Sequence, residues 1–163
     1  MKSIAVFCDA STGNDNKKTS KAFTIDKTLA QQKNSLVYGA AKIGFMRVFA
    51  NGTLENGGNA IGVIPYFLKN KEISSDALTN LIVTKNMHDR KVIMCEKSDG
   101  FITILRGFWH NRRVFTDLTW GSLRLHTKPT IILNTSGYYD TFMQQLKTVV
   151  DKDFLKQENI VFL

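Results

Sequence analysis

The stretch Met87-His88-Asp89-Arg90-Lys91 gathers an imidazole, a guanidinium and an ammonium within four residues. It follows an apolar run and reads as the first turn of a helix. Arginine and lysine in such a place can clamp a phosphate or polarise a sugar oxygen. The same residues also suit a solvated, charged helix start, and His88 has no serine or cysteine partner in view. Gly39-Ala40-Ala41-Lys42-Ile43-Gly44 lies between a strand pattern and a helix pattern. A glycine-bearing turn there can hold phosphate on backbone amides and the helix N-terminus, or can simply allow tight packing. Glu72 falls in a loop, where an acid is ordinarily solvated. Arg106-Gly107-Phe108-Trp109-His110-Asn111-Arg112-Arg113 puts three arginines, a histidine and two large aromatics after a buried strand. Basic and aromatic residues together suit single-stranded nucleic acid, although one loop is little to build such a surface from.

These residues need elements to position them. Short apolar runs predict strands at 4–8, 35–38, 60–64, 81–84, 101–105, 130–133 and 161–162. Helical patterns fill 20–33, 43–56, 87–97, 114–123 and 139–150. Strands bounded by Gly or Pro and alternating with helices imply right-handed βαβ units. Nearly all-apolar strands imply a sheet covered on both faces. We find no internal repeat and no linker. The expectation is one α/β domain over residues 1–163, doubly wound and Rossmann-like, with a mostly parallel sheet. Ligands of such folds bind beyond the C-terminal strand ends. The loops placed there are 8–16, 39–44, 84–87 and 106–113.

Composition bounds the reading. The chain has 163 residues, 43% hydrophobic and 22% charged, which suits one folded domain rather than a disordered or repetitive chain. Its 2 cysteines, Cys8 and Cys95, lack metal-ligand spacing and read as reduced, packed thiols. No run of 18 apolar residues occurs, and the short apolar opening does not resemble a leader, so the expected place is the cytoplasm, away from membranes. The net charge of +8 is the unusual figure, and alone it would point to a polyanionic partner.

Taken in order, the motifs resemble one family along nearly the whole chain. Val6-Phe7-Cys8-Asp9-Ala10-Ser11 stands where that family has V-F-C-G-S-S. Residues 37–47, VYGAAKIGFMR, resemble V-Y-G-G-G-x-x-G-L-M-G. Gly57-Gly58-Asn59-Ala60-Ile61-Gly62-Val63-Ile64-Pro65, Met87-His88-Asp89-Arg90-Lys91, Leu118-Thr119-Trp120 and Asn134-Thr135-Ser136-Gly137-Tyr138-Tyr139 also fit. The family is the LOG ("Lonely guy") phosphoribohydrolases, formerly labelled lysine decarboxylases. The resemblance implies a homodimeric, cofactor-free and metal-free enzyme. It would hydrolyse the N-glycosidic bond of adenosine or cytokinin riboside 5′-monophosphates to free base and ribose 5-phosphate. By motif match Arg90 would be the catalytic arginine. His88, Lys91, Glu72, Gly39, Gly44, Gly107 and Thr119 would bind substrate. Nucleic acid is not an expected partner. Decarboxylation is disfavoured because no convincing motif for its usual cofactor is seen.

One motif is altered. The family's P-G-G-x-G-T-x-x-E turn cradles the 5′-phosphate and ends in a glutamate that serves the oxocarbenium-like transition state. Here Arg106, Phe108, His110, Asn111, Arg112 and Arg113 occupy it, one residue short, and the glutamate is lost. The alternative function is therefore a nucleotide- or phosphate-binding homologue without turnover, its arginines still attracting phosphate. The replacement reads as the family motif in a shifted frame. Codons for P-G-G-F-G-T-I-E-E that lose two bases early translate as Arg-Gly-Phe-Trp-His-Asn-Arg-Arg, and the loss of one more restores the frame at Val114. Restoring the motif would remove three arginines and add two glutamates, bringing the net charge from +8 to about +3. Sequencing the gene checks this: codons 106–113 should read as the glycine-rich motif in a neighbouring frame, and an unrelated frame would contradict it.

Overall fold

The computed structural model describes residues 2–8, 28, 31–41, 44–69, 78–104, 108–134, 137, 139–155 and 161–162. Its strands are β1 (Ser3–Phe7), β2 (Ser35–Tyr38), β3 (Ala60–Pro65), β4 (Asn80–Thr84), β5 (Gly100–Ile104), β6 (Thr130–Leu133) and β7 (Val161–Phe162). The described helices are α1 (Gly44–Glu55), α2 (Tyr66–Lys69), α3 (Met87–Glu96), α4 (Phe108–Ser122) and α5 (Asp140–Asp151). The strands form one sheet in the order β4-β3-β2-β1-β5-β6-β7. Every pairing is parallel. The order reverses between β1 and its neighbours β2 and β5. This is the doubly wound α/β arrangement that the alternation of patterns implied, with its ligand edge at the C-terminal strand ends.

The sheet is buried on both faces because successive side chains point opposite ways. Val6 of β1 and Cys8 just after it join one apolar cluster with Phe49 and Ala50 of α1. Ala5 and Phe7 join a second cluster with Met94 and Cys95 of α3. β2 is buried throughout. Cys8 and Cys95 are both buried and free of disulfides. No described helix is long and apolar enough to cross a membrane.

Most element bounds match the sequence reading to within one or two residues. Three points differ. α2 was not expected, since four residues after Pro65 are too few to show a helical period. The expected helix over 20–33 lies mainly outside the described residues, with Thr28 and Gln31 helical. The largest difference concerns α4, which starts at Phe108 rather than near Val114. Phe108, His110, Asn111, Arg112 and Arg113 are thus helical, not part of a loop. With neither proline nor glycine between 108 and 113, nothing in this stretch resists the helical backbone.

β3 carries a glycine for a steric reason. A Cβ on Gly62 would lie 2.7 Å from the Ala40 Cβ and 2.8 Å from Leu78 Cδ1. Ala40 itself sits at φ 64°, so its backbone has little room to yield. Gly62→Ala is expected to cost about 1–3 kcal/mol, as overpacking does. Urea denaturation measures it, and a change below about 0.5 kcal/mol would contradict the contact.

Candidate functional site

The site starts at the end of β4. Thr84 Oγ1 donates to the Asn86 carbonyl at 3.0 Å, fixing the turn that leads into α3. Asn86 caps the helix, its Oδ1 accepting from the amides of His88 at 2.8 Å and Asp89 at 2.9 Å. Its Nδ2 donates to the Asp89 carboxylate at 3.2 Å. Asn86 is thus a side-chain N-cap, held in place by its own bond to Asp89. Asn86 was missed as a site-forming residue, although its spacing to Asp89 carries the cap signal.

The cap sets where Arg90 emerges. Arg90 Nε donates to the Val63 carbonyl at 2.9 Å, and Nη2 donates to the Gly39 carbonyl at 2.9 Å. Nη1 lies 3.7 Å from Met87 Sδ. One guanidinium therefore spans the C-terminal ends of two neighbouring strands. Gly39 makes this possible. A Cβ there would collide with Arg90 Nη2 and come within 3.0 Å of Met46 Sδ. Gly39 thus stands against the arginine, and Gly44, at φ 59°, supplies the left-handed residue that opens α1.

Lys91 follows on α3, half-buried. Burial first, then the positive charges of Arg112 and Arg113, push its ammonium pKa down, while Asp117 pulls the other way. His88 is exposed beside it. Arg112 is exposed on α4.

Arg113 departs from the expectation that it attracts phosphate. It is only 8% exposed, and Asp117 is fully buried. Its guanidinium lies 4.5 Å above the Phe7 ring and 3.1 Å from the Asp117 carboxylate one turn along α4. Nη1 reaches the Lys91 carbonyl at 3.5 Å, a long contact that ties α4 to α3. The physical reason is local. An aspartate four residues on and an aromatic face beneath offer the buried cation a counter-ion and a π-surface. Burial pushes the Asp117 carboxyl up to about 6 against the pull of Arg113. Burial likewise lowers the Arg113 pKa, opposed by Asp117.

The remaining expected residues fall elsewhere. Thr119 is exposed farther along α4, with no described contact to Arg90 or Lys91. Phe108, His110 and Asn111 lie at the start of α4. Glu72, Arg106 and Gly107 lie outside the described residues. Chemically, the described site offers fixed cations: Arg90 at the strand ends, with Lys91 and Arg112 where α3 meets α4.

Comparison with known proteins is consistent across sequence and fold. Residues 46–163 match the family model described as possible lysine decarboxylase. A probable cytokinin riboside 5′-monophosphate phosphoribohydrolase of Arabidopsis thaliana is 34% identical over 95% of this chain and 77% of its own. A cytokinin riboside 5′-monophosphate phosphoribohydrolase of Rhodococcoides fascians is 37% identical over 94% of this chain and 78% of its own. Among solved structures, the molybdenum cofactor binding protein of Rippkaea orientalis superposes with a TM-score of 0.74 at 22% identity, covering 99% of this chain and 88% of that one. That last likeness speaks to the fold alone.

The buried pair yields a stability test. Both pKa directions mean that desolvation outweighs the mutual attraction. Arg113→Met with Asp117→Leu is therefore expected to be neutral or stabilising, by up to about 4 kcal/mol at pH 7. The pH sign follows from the raised Asp117 pKa. The folded chain takes up this proton near pH 6, the unfolded chain only near the ordinary 3.8, so this group adds stability as pH falls across that window. Denaturation curves at pH 7, 5 and 4 should show the parent gaining on the double variant as pH falls. A clear loss of stability in the variant at pH 7 would contradict this balance.

Proposed function

The chain belongs to the LOG family, and from that premise we propose that it acts on nucleoside 5′-monophosphates as a phosphoribohydrolase. In this reading water adds to the anomeric carbon, the N-glycosidic bond breaks, and adenine or a related base leaves with ribose 5-phosphate remaining. The carrying observation is Arg90. Its guanidinium is fixed by carbonyls at the ends of β2 and β3, so it needs no rearrangement to meet a sugar or phosphate oxygen there. Lys91 adds positive charge on the same helix, and Glu72 and Thr119 are substrate residues by motif match. The reading also makes the enzyme a cytoplasmic homodimer that works without cofactor.

A second reading has its own observation. By the motif match, Arg112 or Arg113 stands near the place of the family's glutamate, and Arg113 is turned inward against Asp117 and Phe7. An oxocarbenium-like transition state then lacks that carboxylate. The chain would bind the nucleotide and turn it over slowly or not at all.

Incubating mass-verified protein with AMP and following free adenine separates the two. The enzyme reading predicts adenine release, reduced about 100-fold or more in Arg90→Ala. Calorimetric AMP binding without release supports the second reading. Neither binding nor release would overturn both.

A further inference from the structure

Arg90 meets a sulfur on the side away from its strand carbonyls. Nε and Nη2 donate to Val63 and Gly39 at 2.9 Å each, while Nη1 lies 3.7 Å from the Met87 thioether. Met87 and Arg90 are three apart in the first turn of α3, a spacing that puts side chains on one helix face. A thioether is a weak acceptor, so this contact holds the guanidinium only loosely. Met87 is also the most accessible of the described methionines. It is 43% exposed, whereas Met94 is 4% exposed and Met46 and Met143 pack against the core. The thioether that solvent reaches best thus lies against the cation on which the nucleotide reading rests.

Oxidation changes that contact in kind. The sulfur attacks the terminal oxygen of a hydroperoxide, and the S–O bond forms as the O–O bond breaks. Sulfur gives up an electron pair, the hydroxyl proton passes to the leaving oxygen, and water or an alcohol departs. The product is a sulfoxide, polar where the thioether was not. An oxygen carried by a sulfur 3.7 Å from Nη1 comes within hydrogen-bond reach of that nitrogen. Its partner is a cation, so the bond is charge-assisted. The Asn86 cap fixes the backbone here, so the new oxygen forms beside the guanidinium.

We propose that Met87 is a reversible oxidation site, its sulfoxide binding Arg90 Nη1 and weakening nucleotide binding at the strand ends. The proposal rests on the nucleotide reading above. The sulfoxide oxygen competes with the ligand for the guanidinium, and enzymatic reduction to the thioether restores the affinity.

Limited hydrogen peroxide treatment of the full chain, with peptide mass spectrometry and AMP calorimetry, tests this. The sulfoxide should appear at Met87 before Met46, Met94 or Met143. AMP affinity of the parent should then fall about tenfold. Methionine sulfoxide reductases for both epimers should restore it. Dithiothreitol alone should not, which separates the effect from reversible oxidation of Cys8 or Cys95. Met87→Leu, compared with its own untreated form, should keep its affinity within about twofold. Met87→Ile serves as a second variant should the leucine disturb folding, and thermal melts report that. A sulfoxide at Met87 that leaves AMP affinity unchanged would overturn the proposal. So would an equal loss in the treated variants, or oxidation that spares Met87. An untreated parent that binds no AMP removes the nucleotide reading and this proposal with it. AMP binding that peroxide leaves intact removes only the proposal.

Discussion

Two hydrogen bonds from Arg90 to the carbonyls of Gly39 and Val63 organise the ligand edge of this molecule. They require β2 and β3 to end side by side, which their parallel register supplies by pairing Tyr38 with Gly62. They require residue 39 to lack a side chain, since a Cβ would meet the guanidinium. They require α3 to begin at a fixed point, which the Asn86 cap provides. An arginine left in solvent would sample many rotamers and lose entropy on meeting a ligand. Here that cost is met during folding, so the cation is preorganised.

The second constraint is electrostatic. Arg113 is a cation within the sheet-facing side of α4, and the fold absorbs it rather than displaying it. Arg113 rotates inward, lies on Phe7 and pairs with Asp117. Residues 108–113 form the first turns of α4.

Much of this was legible in the sequence. The run Ser35–Tyr38 is continuously apolar after its first residue and stops at Gly39, so β2 was readable to the residue. The pattern from Met87 placed α3 and Arg90 at the ligand edge. What was not legible is tertiary. The bond from Arg90 to Gly39 spans 51 positions, and no local spacing announces it. The inward turn of Arg113 was half-legible: its spacing to Asp117 suits an i,i+4 pair, but only packing against Phe7 shows that the pair is buried. The early start of α4 was hidden because 106–113, coming straight after a strand, was read as a strand-end loop, with the helix begun at Val114.

The central claim is that Arg90, fixed by two strand-end carbonyls, is the cation that meets the ligand. A crystal structure of the chain with AMP tests it most directly. The account predicts the nucleotide beyond the ends of β2 and β3, touching the Arg90 guanidinium while its bonds to Gly39 and Val63 persist. A nucleotide bound elsewhere, or an Arg90 that abandons both carbonyls to reach it, would contradict the account.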